Sequence, residues 1–106
     1  GAPNYDDGTL RIDLARREVH LDGQALALTR KEFALLSILV RQSDRLITQS
    51  QLLREMWGPS HAEDAHYLRV LVAKLRHKLG DVAAAPRYIV TEPGVGLKFV
   101  SERAAG

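Results

Sequence analysis

An α+β fold is predicted by three features of the sequence: alternating apolar residues before Thr29, three helical stretches between Thr29 and Gly80, and a glycine-tipped pair of strands after Pro86. In that order they describe a winged helix-turn-helix, with an N-terminal antiparallel sheet, three helices and a C-terminal β-hairpin wing. The length of 106 residues suits one such domain with a single modest core. Residues 9–101 are read as the domain, residues 1–8 ("GAPNYDDG") as a linker end or cloning remnant, and residues 102–106 as a disordered tail.

The elements follow in chain order. Leu10, Ile12 and Leu14 alternate with polar residues, as do Val19 and Leu21, and Leu26 and Leu28 resume the pattern. Asp22-Gly23 marks a tight hairpin, because a type I′ turn needs positive φ at both central positions. A meander of three or four strands is expected. Thr29 opens the first helix through a capping box with Glu32, and Phe33, Leu36, Leu39 and Val40 form its buried stripe. This helix should fade near Gln42–Asp44. Thr48 and Gln51 repeat the capping device for a second helix, with Leu52, Leu53, Met56 and Trp57 on its apolar face. Trp57 is read as core or core edge. Gly58-Pro59 stops that helix. "PSHAED" is a polar loop, longer than a helix-turn-helix connection needs, and a candidate contact surface. Glu63 and Asp64 then sit at the positive end of the third helix, which Gly80 ends. Tyr88 and Val90, then Leu97 and Phe99, give two strands around Pro93-Gly94-Val95-Gly96.

The third helix carries the functional signal. Leu68, Val72, Leu75 and Leu79 fall within an arc of about 60° at a helical step of about 100°. Opposite them lie His66, Val70, Ala73 and His77, with Arg69 and Arg76 on one edge and Tyr67 and Lys74 on the other. No acidic residue occurs between Ala65 and Gly80. An ordinary solvated helix mixes both signs and seldom places Val and Ala at the centre of its wet face. A groove-reading helix does so, because small apolar groups meet thymine methyls while flanking cations reach phosphates. The charge distribution agrees. Residues 1–64 hold 8 Lys/Arg against 10 Asp/Glu, whereas residues 65–106 hold 7 against 3. An anionic partner for the second half follows.

Other chemistry is poorly served. With no cysteine, disulfides and thiolate sites are excluded, which fits a reducing, cytoplasmic setting. No apolar run approaches the ~20 residues that span a bilayer, so no membrane association is expected. His61, Glu63, Asp64 and His66 match no metal-ligand spacing, so no metal is expected. "EPGVG" lacks the strand-to-helix context and the lysine of a phosphate cradle. No Ser/His/Asp set has local support, so no catalytic residue and no cofactor are assigned. A winged helix used as a protein-interaction module remains the alternative to one that binds DNA.

The stretches "LTRKEFALL", "ITQSQLLREMWG", "LRVLVAKLRHKL" and "YIVTEPGVGLKF" resemble, in order and nearly throughout Leu10 to Val100, the effector domain of OmpR/PhoB-type response regulators. Within that family, "WGP" followed by "HYLR" is most similar to the potassium-transport (Kdp) branch. The resemblance implies a bacterial two-component transcription regulator, with a phosphorylatable receiver domain before this segment and a sensor kinase acting on it. It implies double-stranded promoter DNA with direct repeats, bound by two copies head to tail. Base reading would fall to His66, Tyr67, Arg69, Val70, Ala73, Lys74 and His77. Phosphate contacts would come from Thr48, Gln49, Arg76, Thr91 and Lys98. The loop Gly58, Pro59, Ser60, His61, Ala62 and Glu63 would face RNA polymerase. Two positions depart from the family pattern. Pro93, preceded by Glu92, stands where many members carry an arginine that enters the minor groove, and Leu97 replaces the usual aromatic.

Overall fold

The structure is a computed structural model that describes residues 2–61, 65–82 and 84–101. Four strands, β1 (Tyr5–Asp6), β2 (Leu10–Asp13), β3 (Glu18–Leu21) and β4 (Gln24–Ala25), pair in sequence order as an antiparallel meander. Leu10 pairs with Leu21 and Ile12 with Val19, so the alternation read from the sequence turns Leu10, Ile12 and Val19 into the core. Asp22 and Gly23 have φ of 53° and 78°, the two positive values of the expected turn.

Strand β1 corrects the reading of residues 1–8 as a linker. Tyr5 pairs with Ile12, is buried, and meets the Phe99 ring edge-on at 5.0 Å. The polar residues that looked like linker are turn-makers. The Asp7 carboxylate accepts the Thr9 and Leu10 amides at 2.8 and 2.7 Å, and Asn4 Oδ1 accepts the Leu14 amide at 2.8 Å.

Helix α1 (Arg30–Arg41) begins at the complete Thr29/Glu32 capping box, and Gln42 is its C-cap. Its buried side carries Phe33, Leu35, Leu36, Leu39 and Val40. Helix α2 (Gln49–Trp57) starts at Thr48, whose Oγ1 accepts the Gln51 amide at 3.2 Å. The expected reciprocal half of this second box is replaced: Gln51 Nε2 donates to Glu55 Oε1 instead. Gly58, at φ 99°, ends α2, and Pro59–His61 form a 3₁₀ turn where an open loop was expected. Helix α3 (Ala65–Leu79) stops at Gly80, φ 70°. Glu63 and Asp64, expected before α3, lie outside the described residues, as do Ala62 of the loop and the tail 102–106.

The C-terminal ribbon is wider than predicted. Between α1 and α2 the chain forms β5 (Ile47–Thr48), which pairs with β7 (Gly96–Phe99), and β7 pairs with β6 (Ile89–Glu92). The wing is therefore one edge of a three-stranded sheet in the order β5-β7-β6. A two-residue strand has no periodicity to detect, which is why β5 escapes a sequence reading. Its trace in the sequence is Gly96. A Cβ there would lie 2.0 Å from the Ile47 carbonyl oxygen and 2.9 Å from Thr48 Cα. Gly94 serves a different end: with φ 73° it occupies a turn closed by the Val95 amide on the Glu92 carbonyl.

The two glycines of "GVG" should respond differently. Gly96→Ala forces β5 and β7 apart and should cost about 3 kcal/mol or more, at or above the usual range for overpacking. Gly94→Ala meets only its backbone preference, about 1 kcal/mol. Urea denaturation of both variants measures the difference, and equal losses would contradict the assignment.

Candidate nucleic-acid interface

Helix α3 buries Leu68, Val72, Leu75 and Leu79 as its spacing predicts, and Leu71 in addition. Its other face is open. His66, Arg69, Ala73, Lys74 and His77 are exposed, with Tyr67 59% and Val70 40% accessible. These seven are the positions to which the resemblance assigns base reading. Four of the seven line the two flanks of α3. Arg69 and Ala73 border a cleft against the wing, and Lys74 and His77 border a shallower one against the start of α1.

The wing-side cleft holds about 550 Å³ and brings Gln49, Arg69, Arg76 and Thr91 to its rim, over a floor that includes Leu68, Val72 and Leu97. With Ala73, five of the expected phosphate-side and base-side residues thus converge. Lys98 lies outside that lining, half-buried on β7 and paired across to Val90. Thr48 and Gln49 have local duties as well. Thr48 Oγ1 caps α2, and the Gln49 amide donates to the Val95 carbonyl at 2.9 Å, so the first turn of α2 is tied to the tip of the wing. Gly58 is half-buried, Pro59 and Ser60 are exposed, and the turn they share with His61 connects α2 to α3.

Not every cation of α3 is presented outward. Lys78 Nζ donates to Glu32 Oε1 at 2.6 Å and to the Ala27 carbonyl at 3.1 Å. Glu32 is 2% exposed. Burial pushes its carboxyl upward, but the Lys78 ammonium and the Thr29 amide and hydroxyl outweigh this and hold it below its ordinary value. Arg76 is also engaged, with Nε and Nη2 on the Ile89 carbonyl at 3.2 and 2.8 Å and Nη2 on Thr91 Oγ1. Beside it, buried Asp81 accepts the Ile89 amide at 2.9 Å and also those of Arg87 and Tyr88. On the far side of the aromatic cluster, Asp7 Oδ2 accepts the Tyr5 and Tyr88 hydroxyls at 2.8 and 3.0 Å. Burial raises the Asp7 carboxyl, yet its amide and phenol donors prevail and bring it down to about 2.

At the other end of α3, Tyr67 stands 6.4 Å from Trp57, ring centre to ring centre. Trp57 is half-buried, at the core edge as expected, and Lys31 lies 4.9 Å above its ring while donating to the Met56 carbonyl. The contacts Lys78–Glu32, Arg76–Ile89, Asp81–Ile89, Asp7–Tyr88 and Lys31–Met56 were not assigned from the sequence. Asp81 had one local signal, its place directly after the helix-ending Gly80.

Residues 23–99 match the family described as "Transcriptional regulatory protein, C terminal". The chain belongs to that family. Its type is OmpR/PhoB, as the sequence resemblance implied, and a domain of this family is a transcription-regulator module, not an enzyme. The Mycobacterium tuberculosis (strain ATCC 25618 / H37Rv) transcriptional regulatory protein KdpE is 39% identical over 97 residues, 92% of this chain and 43% of the relative. Escherichia coli K12 KdpE is 42% identical over 89 residues, 84% of this chain and 40% of the relative. The chain thus spans less than half the length of these relatives. The DNA-binding domain of Klebsiella pneumoniae RstA, solved in complex with the RstA box, superposes with a TM-score of 0.81 at 29% identity, covering 90% of this chain and 94% of that one. The winged-helix reading of the sequence is borne out by this fold.

The carboxylate anchors predict an acid dependence. The carboxyls of Asp7 and Glu32 are lowered in the fold, so the unfolded chain binds protons first as pH drops. The stability they contribute is complete above their unfolded values of 3.8 and 4.5, and for Asp7 it is lost as pH falls from there toward about 2. Asp7→Asn should therefore flatten the loss of stability over that window. Thermal melts at stepped pH test it, and an unchanged slope would refute the role of Asp7.

Proposed function

We propose that this domain binds double-stranded promoter DNA sequence-specifically, as the effector part of a two-component response regulator. The observation that carries the reading is the exposed face of α3: cationic or neutral throughout, small at its centre, and flanked by a wing. In a major groove, Arg69 and Lys74 are placed on opposite edges to reach guanine or phosphate. Val70 and Ala73 at the centre suit thymine methyls, and His66, Tyr67 and His77 complete the reading surface. Thr48 and Gln49 at the start of α2, together with Lys98 on the wing, would lie along the phosphate backbone. Glu92 and Pro93 offer no cation to the minor groove, so the wing adds affinity and little sequence preference. The RstA domain, similar in fold and solved on its own DNA box, supports this reading.

The remaining partners follow from the family. A receiver domain would precede this segment and respond to a sensor kinase, as befits a relative of KdpE. The turn from Gly58 to His61, with Ala62 and Glu63 next in the sequence, is the surface offered to RNA polymerase. The location is cytoplasmic, where promoter DNA is, and among the described residues no helix is long and apolar enough to cross a membrane.

Substituting Arg69 or Lys74 by Ala should weaken operator binding and leave the fold intact. A base-edge contact should cost about 1–3 kcal/mol and relax preference at one position, whereas a phosphate contact should weaken all duplexes alike. Titrations with a duplex selected from random sequence and with its scrambled version separate these outcomes. If both variants bind as wild type does, α3 is not the docking element, and a protein-interaction role gains.

Two copies should bind head to tail on direct repeats about 10–11 base pairs apart, so that both α3 helices meet one face of the DNA. The free domain should be monomeric, because a small contact does not offset the entropy cost of association. Sedimentation of the free domain, and binding to half-sites arranged directly or inverted, check this. A tight free dimer or a preference for the inverted arrangement would exclude it.

A further inference from the structure

We infer that Arg76 is a positioning residue: by holding Ile89 and Thr91 it sets the wing at a fixed distance from the reading helix, and it does not itself contact phosphate. Family resemblance would place both Arg76 and Thr91 on the DNA backbone. The geometry gives both another task. Arg76 Nε and Nη2 donate to the Ile89 carbonyl at 3.2 and 2.8 Å, and Nη2 also donates to Thr91 Oγ1 at 2.5 Å. Two of the three guanidinium nitrogens are thereby turned inward onto β6.

The same turn of chain grips β6 from its other polar side. The Asp81 amide donates to the Arg76 carbonyl at 2.8 Å, and the Asp81 carboxylate accepts the Ile89 amide at 2.9 Å. Ile89, fully buried, thus has its N–H held by Asp81 and its C=O held by Arg76. The opposing charge of Asp81 favours the cation that burial disfavours. Swinging Arg76 out to a phosphate would take a donor pair from a buried carbonyl, a loss comparable to a broken hydrogen bond. Arg69, seven residues earlier on the same edge, is exposed and among the described residues makes no hydrogen bond or ion pair. It can serve the backbone or a base without that loss.

A planar, forked cation suits this place better than a lysine, since Nε and Nη2 in fixed geometry meet the one Ile89 carbonyl together while Nη2 also reaches Thr91 Oγ1. The wing that Arg76 positions, Ile89–Phe99, carries one cation of its own, Lys98. Displacing the wing therefore removes at most one cationic phosphate contact. That fact makes the two roles of Arg76 separable.

The first arm of the test needs no DNA. Amide hydrogen exchange of the chain should show Arg76→Ala accelerating exchange in β6 and β7 by about tenfold or more, with β2, β3 and the middle of α3 still protected. Thr91→Val keeps the Ile89 link and should produce a smaller acceleration, and Arg76→Lys an intermediate one. Wing exchange unchanged in both Arg76 variants would overturn the proposal. The second arm rests on the DNA-binding reading and uses a duplex selected from random sequence. In a Lys98→Ala background, adding Arg76→Ala should leave the slope of log affinity against log salt as it was, whereas adding Arg69→Ala should reduce it by about 0.9 if Arg69 meets a phosphate. A reduction of about 0.9 on adding Arg76→Ala would make Arg76 a phosphate ligand and overturn the proposal. If Arg76→Ala fails to fold, Arg76→Lys and Thr91→Val carry the exchange arm, and Arg76→Gln, which removes the charge and keeps an N–H donor, carries the salt arm with the same two outcomes. If the chain binds no duplex at all, the DNA-binding reading fails while the exchange arm still decides the positioning role.

Discussion

The buried carboxylate of Glu32 is the contact on which the arrangement of the helices rests. One oxygen accepts the Thr29 amide at 2.8 Å, which starts α1, and the Lys78 ammonium at 2.6 Å, which fixes the end of α3. Lys78 continues to the Ala27 carbonyl, in the segment between β4 and α1. A charge buried this deeply is stable only while its partners stay in place, because a lone buried carboxylate would face a desolvation penalty of several kcal/mol. The pair is therefore weak as a source of net stability and strong as a constraint. It admits few other ways for α3 to lie across α1, and so it orients the face that α3 turns to solvent.

That constraint changes how the basic character of α3 is counted. Five Lys/Arg/His side chains follow Arg69 or include it before Gly80, and they do not share one task. Lys78 is spent on Glu32 and Arg76 on Ile89 and Thr91. Arg69, Lys74 and His77 remain outward, joined by His66 and the apolar pair Val70 and Ala73. The exposed surface is thus less cationic than the composition of the helix suggests. Cations that neutralise phosphate supply affinity without sequence information, whereas small groups and a few placed donors supply discrimination.

Carboxylates do comparable work at the other junctions. Asp81 gathers three successive amides at the entry to β6, and Asp7 joins Tyr5 of the first sheet to Tyr88 at the edge of the second. The Tyr5, Tyr88 and Phe99 rings pack between them. Because Tyr88 immediately precedes β6, the N-terminal sheet, α3 and the wing are braced against one another through side chains at the ends of elements. Strand interiors contribute the apolar core, and the strand ends contribute its geometry.

Periodicity and local capping chemistry were enough to determine the three helices, the Asp22-Gly23 hairpin, the Thr29/Glu32 box and the buried stripe of α3 from the sequence. These features depend on residues within a few positions of each other, so their physics is written locally. The same local reading separated the outward face of α3 from its core. It did not find β1 or β5, since two-residue strands exist only through partners: Tyr5 through Ile12, Ile47 through Leu97. Nor could it tell a cation aimed at solvent from one aimed inward. Lys74 and Lys78 are alike in the sequence, and only the position of Glu32, 46 residues away, separates them. Arg69 and Arg76 lie on one edge of one helix, and only the carbonyl of Ile89 distinguishes them. The sequence by itself determined which elements form and which face of α3 is wet. The tertiary structure decided which charges on that face are free, because a charge's availability depends on the distant groups that desolvate and pair it.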